Sequence, residues 1–117
     1  MTTSKELHCI ARLKIKPGQL AEFKRLNALC NESVRTKDSG TLRYDLFFNA
    51  DETECVVLES YRDADALIEH FNNLGPLYNQ VLETCAGEGE ICGVPNEKLK
   101  QMLEGAPVRV FMPYKAG

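Results

Sequence analysis

Along residues 54–74 the spacing of apolar side chains changes from every second position to every third or fourth. Cys55, Val57, Glu59 and Tyr61 share one face of a predicted strand, and Val56, Leu58 and Ser60 share the other. Both faces are largely apolar, which predicts cover on each side of the sheet. Glu59 is the exception, because a carboxylate in such a strand needs a partner, water or a pocket. Asp63 then reads as an N-cap that accepts from free backbone N–H groups of the next helix. Leu67, Phe71 and Leu74 form the apolar stripe of that helix, and His70 lies about 60° from its centre at ~100° per residue. A strand carboxylate, a strand phenol and a helix imidazole are therefore expected to meet at one edge of the core.

The same patterns place the other elements. Residues 7–16 predict a strand with Ala11, Leu13 and Ile15 on one face and Arg12, Lys14 and Lys16 on the other. Pro17-Gly18 ends it. From Gln19 to about Lys37, a helix turns Leu20, Phe23, Leu26, Asn27, Cys30 and Val34 inward. Asp38-Ser39-Gly40 stops this helix, with Gly40 expected in the left-handed conformation. The strand 41–48 puts Leu42, Tyr44, Leu46 and Phe48 on one face and Arg43, Asp45 and Phe47 on the other, and 49–53 is a hairpin turn. Gly75-Pro76 opens a second helical segment to about Cys85, with Leu77, Val81, Leu82 and Cys85 inward. A glycine-rich strand follows at 87–94, with room for a close-lying backbone. A short helix capped by Asn96 and a strand at 107–112 complete the chain.

The resulting order is β-α-β-β-α-β with a short α-β tail. It predicts an α+β, ferredoxin-like antiparallel sheet with both main helices on one face. The 117 residues suit a single domain, with a core from about 7 to 94 and a C-terminal helix-strand extension from 95 to 113. The open sheet face would carry Phe47 or Phe48, Val57 or Leu58, and Cys9 or Ile10. A patch of that size predicts a homodimer packed sheet to sheet, a dimeric α+β barrel closed around a mostly apolar chamber. The tail strand would cover its own sheet edge or reach onto the partner subunit.

Charge narrows the function. A formal net charge of −3 gives no electrostatic basis for binding nucleic acid or an acidic membrane. No apolar run approaches the ~20 residues of a membrane span, and the polar start lacks a signal-peptide core. The five cysteines are odd in number and lack a Cys-x-x-Cys pair. They read as reduced thiols of a cytoplasmic protein. With two histidines and no acidic cluster, no metal site is expected, and no glycine-rich phosphate loop follows a strand.

Three segments carry a resemblance: Gly40-Thr-Leu-Arg-Tyr-Asp45, Cys55-Val-Val-Leu-Glu-Ser-Tyr-Arg-Asp63 and Ala66-Leu-Ile-Glu-His70. Together they resemble the antibiotic biosynthesis monooxygenase family of the dimeric α+β barrel superfamily, over about residues 7–93. That family includes cofactor-free oxygenases of polycyclic phenols and quinols, an isomerase of a phosphorylated sugar-like signal, and haem degraders. The haem-degrading branch uses a first-strand Asn and a third-strand Trp, where this chain has Ala11 and Tyr61. The isomerase branch carries a second His soon after the one matching His70, where this chain has Leu74-Gly75-Pro76-Leu77.

The resemblance thus implies a cofactor-independent monooxygenase of quinol or polyketide-like aromatic small molecules. The alternatives are an isomerase of a small oxo compound on the same scaffold and a non-catalytic small-molecule-binding dimer. In the oxygenase reading His70 or Glu59 is the general base, and Tyr61 and Tyr44 hydrogen-bond the substrate's oxygens. Arg43 or Arg12 stabilises the phenolate, and Phe48 is a further candidate for substrate binding. Each residue also has a structural reading. Glu59 pairs with Arg43 or Arg12 across the sheet, His70 bonds to backbone on the helix flank, and the tyrosines are core aromatics with wet tips.

Overall fold

The computed structural model describes residues 5–115; the first four residues of the polar start and residues 116–117 lie outside the described residues. The elements are β1 (Leu7–Ile15), α1 (Leu20–Lys37), β2 (Thr41–Phe48), β3 (Glu54–Tyr61), α2 (Ala64–Leu74), α3 (Pro76–Glu83), β4 (Cys85–Cys92), α4 (Glu97–Met102) and β5 (Val108–Phe111). They form one sheet in the order β2-β3-β1-β4-β5. The first four strands pair antiparallel, and β5 joins β4 in parallel. The tail strand therefore extends its own sheet.

The period-2 pattern sorts residues by face. Leu7 and Cys9 of β1, Cys55, Val57 and Tyr61 of β3, and Cys85 and Ile91 of β4 are buried. They pack in two clusters. One gathers Tyr61, Leu67, Ile91 and Leu99, and the other gathers Phe23, Cys30, Val57 and Val81. Fully burying a side chain such as Phe23 or Leu67 stabilises by about 1.5–3 kcal/mol, so these clusters drive the helices onto this face. The opposite face mixes half-buried Ile10, Val56 and Leu58 with Phe47, which is 51% exposed, and with charged Arg12, Lys14 and Glu88.

Several local expectations change. A register shift between Thr41 and Arg43 turns Leu42 out to 56% exposure, which the alternation of β2 could not reveal. Ser33 rather than Val34 is buried on α1, and Leu82 is exposed. α3 stops at Glu83 because Thr84 bends back, its N–H and hydroxyl both donating to the Val81 carbonyl. β4 then starts two residues early, at Cys85 opposite Ile15.

Gly40 is buried without a positive φ. Its role is proximity, since a Cβ there would lie 2.5 Å from the Ala66 Cβ. The expected glycine contact in β4 is real. A Cβ at Gly87 would fall 2.0 Å from the Arg12 carbonyl oxygen of β1.

Candidate active site

α2 starts where its sequence says, with the Asp63 carboxylate accepting from the Ala66 N–H at 2.9 Å. Two turns later it delivers His70 into the core, with 3% of the side chain exposed. The ring sits among Tyr44, Tyr61 and Phe71, with centroid separations of 5.4, 5.3 and 5.8 Å. His70 Nδ1 lies 2.8 Å from Oδ2 of Asp38. His70 Nε2 faces the other way, 4.0 Å from Oε1 of Glu59.

Asp38 is the C-cap of α1, where the backbone turns extended and sends the carboxylate beneath α2. Only 1% of its side chain is exposed. Thr41 Oγ1 donates to Oδ2 at 2.7 Å, and Asn73 Nδ2 donates to Oδ1 at 2.9 Å. Burial works against the Asp38 charge, but the hydrogen bonds from Asn73, Thr41 and His70 outweigh it and hold the carboxyl below its ordinary range. The close fit of Gly40 on Ala66 brings this turn against α2.

Glu59 stands on β3 two residues before Tyr61, so both point to the helix face. The Tyr61 hydroxyl donates to Glu59 Oε1 at 2.5 Å. Burial pushes the Glu59 carboxyl up, against the smaller opposing pull of the Tyr61 hydrogen bond and the nearby His70. A raised carboxyl has a definite sign in stability. Above the ordinary value of 4.5 the unfolded chain loses its proton first, so stability falls as pH rises towards the folded value. Glu59→Gln is accordingly expected to raise the melting temperature at pH 8 and leave it nearly unchanged at pH 4, as read by calorimetry.

His70, Glu59 and Tyr44 line a cavity of about 140 Å³. It lies between the two core clusters, under the helices of a single chain. Glu59, His70 and Tyr44 thus stand on the helix face of the sheet, not on the open face that would line a chamber between two paired sheets. Burial also raises the Tyr44 phenol, with the Glu59 charge adding to it, so Tyr44 stays a hydrogen-bond donor. The lining thiol of Cys30 is pushed up to about 11 by burial, with Glu59 adding, and stays protonated near neutrality.

Other expected residues lie elsewhere. Arg12 and Arg43 are on the opposite sheet face, Arg12 4.0 Å from Glu90 and Arg43 2.7 Å from Asp45. The side-chain period of a strand separates both from Glu59, so neither the phenolate contact nor the cross-sheet pair forms. Phe48 packs edge-on against Phe23, 6.0 Å between centroids, with Lys24 over its ring, and does not line the cavity. Tyr61 stands behind Glu59 and reaches the cavity only through it. The helix-flank reading of His70 is corrected too, because its Nδ1 partner is a carboxylate.

Asp38, Thr41 and Asn73 escaped the sequence reading. A signal existed for Asp38: an acid at a helix C-terminus opposes the macrodipole and needs another reason to be there.

The profile of the antibiotic biosynthesis monooxygenases matches residues 7–76. The chain belongs to the antibiotic biosynthesis monooxygenase family. Its sheet and helices superpose on MupZ from Pseudomonas fluorescens with a TM-score of 0.83 at 22% identity, covering 100% of this chain and 91% of that one. Rv0793 from Mycobacterium tuberculosis gives 0.67 at 26% identity over 79% of this chain and 97% of that one. SnoaB, a cofactor-independent oxygenase from Streptomyces nogalater, gives 0.65 at 19% identity over 74% and 90%. No curated protein matches the chain.

Family membership supports a monooxygenase-like role for the chain. Among the described residues, no group of three or more His, Cys, Asp and Glu could hold a metal, and no helix is long and apolar enough to cross a membrane.

Proposed function

We propose that this chain is a cofactor-independent monooxygenase of a small phenol or quinol, with His70 as general base. One observation carries the reading: His70 lines a mostly apolar cavity, is held at Nδ1 by Asp38 and has Nε2 4.0 Å from Glu59. A carboxylate at one ring nitrogen favours the tautomer whose other nitrogen accepts a proton.

The chemistry follows from the substrate's own electrons. His70 Nε2 takes the hydroxyl proton, and the anion places charge on a ring carbon. That carbon gives one electron to dioxygen, and the radical pair joins in a C–O bond. His70 returns its proton to the outer peroxide oxygen. Loss of the carbon's hydrogen as a proton then breaks the O–O bond and leaves a carbonyl. One oxygen atom enters the product and the other leaves as water. The apolar lining shelters the intermediates, and Tyr44 is placed to donate to the developing charge.

Oxygen uptake with a panel of monocyclic and polycyclic quinols, without flavin or metal, tests this. His70→Ala is expected to lower the rate by about 10²–10⁴-fold, the usual worth of a positioned general base. Unchanged turnover in both His70→Ala and Glu59→Gln would overturn it.

A second reading draws on Glu59. A carboxyl raised by burial beside a histidine is an acid next to a base, as enolisation requires. An isomerase of a small oxo compound would exchange substrate hydrogen with deuterated water under nitrogen. Ligand-dependent melting without turnover would instead favour a non-catalytic binder.

The sheet face opposite the helices supports homodimer formation. Ile10, Phe47, Val56 and Leu58 form its apolar part. Leu58→Arg is expected to give monomer at micromolar concentration by light scattering, where the unaltered protein gives dimer.

A further inference from the structure

The floor of the cavity is made of missing side chains. On β1 the helix-facing residue at the centre is Ala11, flanked in the sheet by Val57 on β3 and Gly89 on β4. Gly87, the helix-facing position before it on β4, also has no side chain and pairs with Leu13. A strand facing a core normally fills these positions with branched residues. Here Ala11 and Gly89 leave the space that His70 and Glu59 border, while the Cβ position at Gly87 is taken by the Arg12 carbonyl of β1.

The other wall comes from the end of the chain. Val108 of β5 is the parallel partner of Gly89, and its Cγ2 would lie 3.6 Å from a Cβ placed there. Half-buried Leu103, just after α4, packs beside it, and Pro107 stands exposed at the rim. All three lie beyond the family match, which ends at residue 76. The C-terminal extension thus closes one side of the space that Ala11 and Gly89 open.

We infer that the α4–β5 extension, with Ala11 and Gly89, limits the site to substrates built on a single six-membered ring. The volume argues for a small guest: an enclosed apolar cavity of about 150 Å³ holds one benzene, and this half-open one measures about 140 Å³. Polar selection comes from the opposite wall, where Glu59 and His70 meet a single ring hydroxyl. The inference rests on the reading that this cavity is the reaction site, but size selection concerns binding and needs no oxygen chemistry.

The test uses phenols that do not turn over: phenol, 2-naphthol and 9-phenanthrol, with binding read by calorimetry and ligand-dependent melting. Phenol is expected to bind, and 9-phenanthrol to bind at least about tenfold more weakly, a difference of about 1.4 kcal/mol or more. Ala11→Leu fills the floor and is expected to abolish phenol binding. Leu103→Ala and Val108→Ala each open the wall and are expected to move preference towards 2-naphthol by about tenfold. Using both guards against one variant failing to fold.

Equal or tighter binding of 9-phenanthrol by the unaltered protein would overturn the inference. So would phenol binding that Ala11→Leu does not change, or no binding of any of the three. Phenol binding with the expected size order, but no oxygen uptake with any monocyclic quinol, would uphold size selection and remove the oxygenase reading.

Discussion

Asp38→Ala is expected to cost about 3 kcal/mol or more of stability, because it removes the acceptor shared by three hydrogen-bond donors. The carboxylate accepts from Thr41, His70 and Asn73 at a place where the His70 and Asp38 side chains are 3% and 1% exposed. Alanine leaves the Thr41, His70 and Asn73 donors without the acceptor they share. Each buried polar group left unpaired costs about 1–3 kcal/mol. Against a domain stability of about 5–15 kcal/mol, that is a large fraction. Urea titration should show a lower midpoint with an unchanged slope. Asp38→Asn keeps one acceptor oxygen and should lose less. The acid limb has a sign as well. The folded carboxyl lies below its ordinary value of 3.8, so its contribution is complete at neutral pH and is lost as pH falls below that value through the folded one.

Gly87→Ala is expected to destabilise by about 3 kcal/mol, at the upper end for overpacking. The added Cβ would sit 2.0 Å from the Arg12 carbonyl oxygen and 3.0 Å from the Leu13 Cα. Both are backbone atoms of the central strand, so no rotamer change relieves the clash. The strands must separate, weakening a ladder that runs from His8–Cys92 to Ile15–Cys85. Gly89→Ala is the control two residues along. Its nearest neighbour would be the Val108 Cγ2 at 3.6 Å, an ordinary contact, and the expected change is within about 1 kcal/mol. Thermal melting of the pair separates a packing requirement from a general dislike of alanine in this strand.

Much of the architecture was legible because strand and helix periods differ so clearly in this chain. The grouping of Cys55, Val57, Glu59 and Tyr61 on one face holds, and so does the cap at Asp63. The choice between two apolar faces was not legible. Alternation says which residues travel together, not which set the helices cover. The arginines were placed with Glu59 for that reason, although Arg12 and Arg43 project to the other side.

His70 shows a second limit. Its offset from the stripe suggested a flank, yet the core-facing sector of this helix is wide enough to take it in. What permits burial is a carboxylate 32 residues earlier, and a contact at that separation leaves no periodic trace. Leu42 marks a third, since one shifted pair in a ladder reverses an inside residue without altering the spacing that predicted it.

His70, Asp38 and Glu59 converge within one polypeptide, and this bears on kinetics. Two paired copies would carry two His70 bases, each with its own Asp38 and Glu59. Saturation should then be hyperbolic with a Hill coefficient near one, and a mixed assembly with one His70→Ala member should keep half the rate.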